Sequence, residues 1–184
     1  MLKTYFELEN LISGVLANIS GFNDVGNVRI SYQQDGSPAW EHTDNIISFY
    51  LIQRDGIYAE DISKKNVYDS DKDVFKQTST FTRIVECNIS IYGPLSRDVA
   101  DRIKVLILDE MYKRPLTSER VYPLKPGAPR YLPYMYNDQW WNRTDLTLLF
   151  NVESTIELIV PRIKSAEVII KTDTGEERHV NITS

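Results

Sequence analysis

Apolar residues recur every three or four positions at the start of the chain, which is the spacing of a helix with one buried face. The stripe predicts a helix that ends at Gly21, because glycine readily takes the left-handed conformation that follows a helix. Its members are Tyr5, Leu8, Ile12, Val15, Leu16 and Ile19. A second stripe predicts a helix from an N-cap at Ser96 to Lys113–Arg114, where Pro115 forbids continuation. Its buried members are Val99, Ile103, Leu106, Ile107 and Met111.

Alternating and continuous apolar runs predict the strands. Val28–Tyr32 is a short strand, and Ile46–Ile52 is apolar on both faces, which favours an internal place in a sheet. A long strand over 80–92 is closed by Gly93. A strand over 145–152 points Leu146, Leu148, Phe150 and Val152 inward, breaks at Glu153–Ser154 and resumes at 156–160. Two further runs, at 168–171 and 178–182, predict a hairpin.

Two helices among about seven strands predict one α+β domain over residues 1–184. We expect a mostly antiparallel sheet packed on one face by the two amphipathic helices. Two stretches interrupt this pattern. Residues 53–79 are polar and too long for a turn, which predicts an extended loop or projecting arm. Residues 115–133 hold five of the eight prolines and predict an extended connection.

Charge and cysteine content narrow the possible functions. The chain has 21 basic and 26 acidic residues and a net charge of −5, which argues against binding nucleic acid through phosphates. Its one cysteine, Cys87, excludes an intramolecular disulfide and lies on the inward side of a strand, as a buried core thiol would. Glu7 and Glu9 come too early for a signal peptide, and no run has the length of a membrane span. We expect a soluble protein made in a reducing cytoplasm.

No pattern in the sequence predicts catalysis, a cofactor or a metal. Asp69–Asp73 has the acidic spacing of a calcium loop, but Val74 replaces the required glycine and Thr80 the bidentate glutamate. His42 and His179 lie far apart and have no neighbouring ligand set. We therefore expect a protein that is not an enzyme, with no catalytic, cofactor-binding or metal-binding residues.

The densest chemical feature is the aromatic segment 134–145. Trp140 and Trp141 are adjacent in a strand and must face opposite sides, so one packs inward while the other is covered by the proline-rich segment or anchors a protein interface. Arg143 and Asp145 share a side and either pair locally or reach across a subunit boundary. An aromatic platform for a carbohydrate or nucleotide is an alternative. The interface candidates are Tyr134, Tyr136, Trp140, Trp141, Arg143 and Asp145.

Several of these segments together resemble one family. The resemblance is carried by Tyr92-Gly-Pro94, the helix around Val99–Ile103, a Pro/Gly-rich link, Pro133-Tyr134 and the run from Gln139 to Leu146. Through them the chain resembles the tail terminator (neck terminator) proteins of tailed bacteriophages. The resemblance covers roughly residues 1–171, and Gln-Trp-Trp-x-Arg-x-Asp is its most specific part.

The resemblance implies a structural virion protein in the tail or neck, made in the host cytoplasm. It implies a hexameric ring at the head-proximal end of the tail, which stops polymerisation of the tail tube or sheath and docks to the head–tail connector. Catalysis, cofactors and membrane contact are not implied. Genomic DNA would pass the lumen without specific binding, since an acidic surface repels it. The alternatives are another head–tail joining, tail-completion or baseplate adaptor subunit, and a small enzyme or ligand-binding domain.

Overall fold

Two strands of nineteen residues each, β4 (Val74–Tyr92) and β9 (Arg143–Pro161), form the spine of the structure. The computed structural model describes residues 4–22, 25–32, 40–54, 61–72, 74–161, 165–171 and 177–183. The helices are α1 (Tyr5–Ser20), α2 (Ser96–Leu106) and α3 (Glu110–Ser118). The other strands are β1 (Val28–Ile30), β2 (Ile46–Arg54), β3 (Asp61–Asp69), β5 (Val121–Pro123), β6 (Arg130–Tyr131), β7 (Tyr134–Tyr136), β8 (Gln139–Trp141), β10 (Ser165–Lys171) and β11 (Glu177–Thr183).

The main sheet has the order β1-β2-β4-β9-β5 in the described residues. β4 and β9 pair antiparallel in one unbroken register, from Val74 opposite Pro161 to Tyr92 opposite Arg143. β2 pairs with the second half of β4, and β3 pairs with its first half. The short strands β5 and β6 pair with β9 on its other side. All these pairs are antiparallel except β1 with β2, which is parallel.

The three helices pack on one face of this sheet and enclose the core. Alternate residues of the two spine strands point at the helices, as the period-two pattern requires. The core includes Val85, Cys87, Ile89 and Ile91 from β4, Leu146, Leu148, Phe150 and Val152 from β9, Ile47 and Phe49 from β2, and Leu8, Ile12, Leu16, Val99, Ile103, Ile107 and Leu116 from the helical segments. The predicted α+β fold, a mostly antiparallel sheet covered by helices on one face, is confirmed.

The first predicted helix is confirmed over its whole length. Thr4 accepts a hydrogen bond from the backbone N–H of Glu7, whose carboxylate accepts one from the Thr4 N–H, so a capping box starts the helix. Gly21 has φ 72° and ends it. Tyr5 is the exception in the predicted buried stripe, because it is 38% exposed in the first turn.

The second predicted helix is wrong at both ends. Leu95 occupies the N-cap position, and Ser96 is instead a buried first-turn residue whose hydroxyl accepts from the Thr144 hydroxyl at 3.3 Å. The helix stops at Leu106, and Asp109 caps a separate helix, α3, by accepting from the Met111 N–H at 2.9 Å. Met111 is therefore exposed rather than buried.

The predicted extended connection over 115–133 is also wrong in part. Pro115 lies inside α3, and the burial of Leu116 against the core holds this short helix in place although proline supplies no N–H. Farther along, β5 and β6 use the backbone of the same stretch to pair with β9.

Residues 53–79, predicted as an extended loop or projecting arm, are mostly β-structure where the structure describes them. β3 and the start of β4 form an antiparallel pair, and the Asp69 carboxylate at the turn between them lies 2.7 Å from Lys76 Nζ. Residues 55–60 and 73 lie outside the described residues. β9 likewise runs through Glu153 and Ser154 without the predicted break, and Ser154 is buried.

Together β3, Val74–Phe81 of β4 and Ser154–Pro161 of β9 make a three-stranded extension of the sheet, which we call the distal arm. The two end strands β10 and β11 pair antiparallel, which confirms the C-terminal hairpin.

Candidate interaction site

A two-stranded hairpin carries four of the six predicted interface residues. β7 and β8 place Tyr134 opposite Trp141 and Tyr136 opposite Gln139. The two turn residues, Asn137 and Asp138, have φ values of 47° and 56°. Two successive left-handed residues make a type I′ turn, whose twist suits a two-residue hairpin, and Asn and Asp tolerate that conformation best after glycine. The local sequence therefore specifies this hairpin.

The hairpin has two chemically different faces. Trp140 lies opposite Met135, and both are exposed, Trp140 at 64%. Trp141 lies on the other face and is partly buried. The prediction that the adjacent tryptophans face opposite sides is confirmed, and Trp140 is the one that presents its indole to solvent.

Trp141 is the centre of an aromatic cluster on the inner face. The Tyr134 ring stacks on it with the centroids 6.2 Å apart and an interplanar angle of 26°. Tyr136 and His42 approach it edge-on at 6.0 and 6.2 Å. Edge-to-face and offset arrangements are the favourable geometries for aromatic rings. Burial raises the pKa of the Tyr134 phenol.

Tyr92 extends the cluster to the end of β4. Its ring lies 6.4 Å from Tyr134 and 5.7 Å from Trp40. The guanidinium of Arg29 lies over the Trp40 ring at 5.4 Å. Trp40, His42 and Tyr92 are absent from the predicted interface residues, since they are far from the hairpin in the chain and only the fold brings them together.

Arg143 and Asp145 form the local pair, which is one of the two predicted alternatives. Arg143 donates from Nε and Nη2 to the two carboxylate oxygens of Asp145, at 2.7 and 2.8 Å. Nη2 also donates to the Ser90 hydroxyl at 3.2 Å, and the guanidinium lies 5.9 Å from the Tyr92 ring centroid. The hydrogen bonds to Asp145 raise the pKa of Arg143, whose guanidinium is positively charged at any physiological pH in any case. The pair anchors the start of β9 next to the aromatic cluster.

The open face of the sheet beside this pair carries a polar groove of about 400 Å³. Its side chains largely bind each other: the Ser31 and Ser48 hydroxyls lie 2.6 Å apart, and Thr147 donates to Asn88 Oδ1 at 3.1 Å. Asn88 in turn donates to Glu86 at 2.8 Å. Many of the polar side chains that line the groove therefore already have hydrogen-bond partners within the protein.

Potential reactive and metal-binding groups are not assembled into a site in the described part of the chain. Cys87 is fully buried, which confirms the core thiol, and burial raises its pKa. No group of three or more His, Cys, Asp or Glu residues that could hold a metal occurs among the described residues.

A second exposed surface lies on the distal arm. The arm continues the sheet beyond the helices, so its helix-side face has no cover from them. Because Phe75 pairs with Val160 and with Tyr68, these three side chains share that face. Its exposed apolar members are Tyr68, Phe75, Ile156, Leu158 and Val160.

Exposed aromatic and aliphatic side chains on a small α+β scaffold favour a protein that acts through protein–protein contacts. A family model described as phage neck terminator protein matches residues 7–176, and the chain belongs to this family. Membership implies a structural role in the phage tail, at the neck of the virion, in association with tail and head components. No curated protein matches the chain.

The matched family agrees with the resemblance drawn from the sequence. A structural role at the neck favours a protein without catalytic activity. None of the described helices has the length and apolar character needed to cross a membrane.

Proposed function

We propose that this protein assembles into a ring, hexameric to match a sixfold tail, at the head-proximal end of the tail. The ring stops polymerisation of the tail tube or sheath and presents a docking surface to the head–tail connector. Family membership supports the location and the structural role. The ring and the terminating step are the parts that this proposal adds.

The observation that carries the proposal is the position of the two exposed surfaces. The hairpin of β7 and β8, which we call the aromatic hairpin, lies next to the end of the spine where Tyr92 pairs with Arg143. The distal arm ends where Val74 pairs with Pro161. Nineteen paired residues at about 3.4 Å each separate these ends by about 60 Å. One subunit therefore offers two different apolar surfaces at opposite ends of one rigid ribbon.

Two different surfaces at opposite ends suit a heterologous contact, in which one patch meets a different patch on the next copy. Repetition of such a contact closes into a ring when the rotation between neighbours is right. Trp140 on the hairpin and Leu158 on the arm are the most exposed apolar anchors of their surfaces. A specific boundary of ordinary size buries about 800 Å² on each partner.

The charge of the subunit suits a channel for DNA. With a net charge of −5, a ring of six copies carries a strongly negative field. Such a field repels the DNA phosphates, so the genome passes through the lumen without specific binding.

The primary test is made on phage tails. Cryo-electron microscopy of wild-type tails should show six copies of this chain in the last ring before the head. Deleting its gene should give tails of irregular length that fail to join heads. Uniform tails of normal length that still fail to join heads would contradict termination and favour a head–tail adaptor subunit.

A complementation test examines the heterologous contact itself. Trp140→Ser removes the hairpin anchor and Leu158→Ser the arm anchor, and both side chains are more than half exposed, so the fold should survive. Each variant alone should fail to form rings. In a mixture of the two, the intact hairpin of the Leu158→Ser subunit can still bind the intact arm of the Trp140→Ser subunit. The mixture should therefore give dimers, which cannot add further subunits to complete a ring.

The control is Val105→Ser, which removes an apolar side chain from α2 that is even more exposed than Trp140 and Leu158 and lies outside both surfaces. This variant should form rings like the wild type. Rings formed by either surface variant alone would contradict the assigned contact.

A further inference from the structure

The inner face of the aromatic hairpin bounds an open cavity of about 740 Å³. Its walls are the rings of Trp40, Tyr134, Tyr136 and Trp141 together with the imidazole of His42. Ring faces carry negative electrostatic potential, so several rings around one space attract a cation. We call this space the aromatic pocket.

Acidic side chains near the aromatic pocket also favour the binding of a cation. Glu41 lines the pocket, and its backbone N–H donates to the Asp44 carboxylate at 2.8 Å, which holds this second acidic group near Glu41. Asp138 occupies the hairpin turn next to Asn137, another lining residue. Glu41, Asp44 and Asp138 are all exposed, and they lie on the two segments that supply the lining residues, so we call these three carboxylates the acidic rim.

The cluster already binds cations in this way on its other surfaces. Arg29 lies over Trp40 and Arg143 lies beside Tyr92. Neither guanidinium lines the described walls of the pocket. Asp145 neutralises Arg143, so the charge of Arg143 does not compensate the acidic rim.

We propose that the aromatic pocket binds a lysine or arginine side chain presented by a partner protein of the virion. The aromatic walls hold the cation by cation–π contacts, and the acidic rim attracts it electrostatically. The partner's location rests on the proposed neck function, whereas the pocket's preference for a cation is independent of ring formation. A neutral apolar side chain of the same size would gain nothing from the rim.

The experiment compares two probes of the same shape in the isolated full-length chain. Choline carries a trimethylammonium group, and 3,3-dimethylbutan-1-ol replaces its nitrogen with carbon and has no charge. Titrations followed by the indole N–H signals of Trp40, Trp140 and Trp141 should show saturable shifts at Trp40 and Trp141 with choline. The neutral probe should bind at least ~10-fold more weakly than choline, because it lacks the cation–π contacts and the attraction to the acidic rim. A tenfold difference in the dissociation constant corresponds to about 1.4 kcal/mol. Equal binding of both probes, or no shift with choline, would overturn the proposal.

Variants localise the site. Glu41→Gln removes one rim charge while keeping the size of the side chain and should weaken choline binding about threefold. Trp141→Leu should abolish it, and Trp140→Leu, on the neighbouring residue outside the pocket, should leave it unchanged. Equal loss in the two tryptophan variants would overturn the assignment. If Trp141→Leu does not fold, Tyr136→Leu at the exposed edge takes its place.

The proposed cation binding and the proposed ring formation can be contradicted independently of each other. A subunit that binds choline at these residues but forms no terminal ring supports the pocket and contradicts the proposed function. Rings built from subunits that do not bind choline support the proposed function and contradict the pocket.

Discussion

Gly93 packs against Asp44 so closely that a Cβ on Gly93 would lie 2.3 Å from the Asp44 carbonyl oxygen. Gly93 also has φ 101°, a conformation that only glycine adopts without strain. Beside it, Asn45 Oδ1 accepts from the Leu95 N–H at 2.9 Å, which ties the start of β2 to the start of α2. The junction between the spine and the helical layer therefore depends on a residue without a side chain.

Replacing Gly93 with alanine should destabilise the protein strongly. The positive φ and the clash with backbone atoms together should lower the free energy of unfolding by about 3 kcal/mol. Chemical denaturation measures this loss. Gly14→Ala is the matched control, because a Cβ there meets nothing within 4 Å inside α1, and it should instead stabilise by about 1 kcal/mol. A harmless Gly93→Ala would show that this junction is assigned wrongly.

Substitutions on α2 should separate its two faces. Ile103 is fully buried, so Ile103→Asp places an unpaired charge in the core and should cost about 4 kcal/mol or more. Val105→Asp, two residues away and 68% exposed, should change stability by less than about 0.5 kcal/mol. Thermal unfolding followed by circular dichroism distinguishes the two.

Ile103→Val provides a milder variant if Ile103→Asp does not fold. It should cost about 1 kcal/mol, the usual value for one buried methylene. Equal thermal stability of all three variants and the wild type would contradict the assigned helix face.

The Arg143–Asp145 pair should contribute measurably because it is bidentate and partly buried. Asp145→Asn keeps the shape and removes the charge, and it should lower the free energy of unfolding by about 1 kcal/mol, after allowance for solvent screening. Glu110→Gln removes the exposed pair with Lys113 and should cost no more than about 0.3 kcal/mol. Denaturation at low and high salt measures both, and an equal effect of the two substitutions would contradict the anchoring role of Arg143.

Cys87 should be unreactive in the folded protein. The Cys87 thiol is buried in the core, so a thiol reagent can reach it only when the protein unfolds locally or globally. The native protein should therefore react at least ~100-fold more slowly than the protein unfolded in denaturant. Rapid native labelling would contradict the core assignment.

The pKa of Cys87 also predicts a pH dependence. Burial raises the pKa in the folded state, so above pH ~8.5 the unfolded chain releases the thiol proton while the folded chain keeps it. The free energy of unfolding should therefore be unaffected by this group at lower pH and should fall as pH rises above that value. Cys87→Ala should lose this contribution to the slope.

Local periodicity is enough to predict the parts of the fold that bury one face. The stripe in α1 and the alternation in Leu146–Val152 identify their buried sides directly. The strand β3, within the stretch predicted as an extended loop or projecting arm, escapes prediction because its side chains are mostly exposed and its strand character comes from backbone hydrogen bonds to β4. Polar sequence does not reveal such pairing. The helix around Pro115 cannot be predicted locally, because the burial of Leu116 outweighs the unfavourable effect of a proline inside a helix.

The candidate site is predictable only as far as it is contiguous in the chain. Density of aromatic residues identifies the hairpin over 134–141, and spacing identifies the Arg143–Asp145 pair. Trp40 and His42 join the cluster through the position of β2 beside β4. That juxtaposition is a property of the whole sheet, and no local pattern encodes it.

The unbroken register between β4 and β9 has a mechanical consequence. The same two strands that form the centre of the core also form the distal arm, with no change of register between the two regions. A pull on the arm along the strands loads the interstrand hydrogen bonds in shear, where they resist together. A force applied to the tip of the distal arm is therefore transmitted along the two strands to the part of the sheet that the helices cover. The register is continuous between the arm and the core, so it provides no hinge between them.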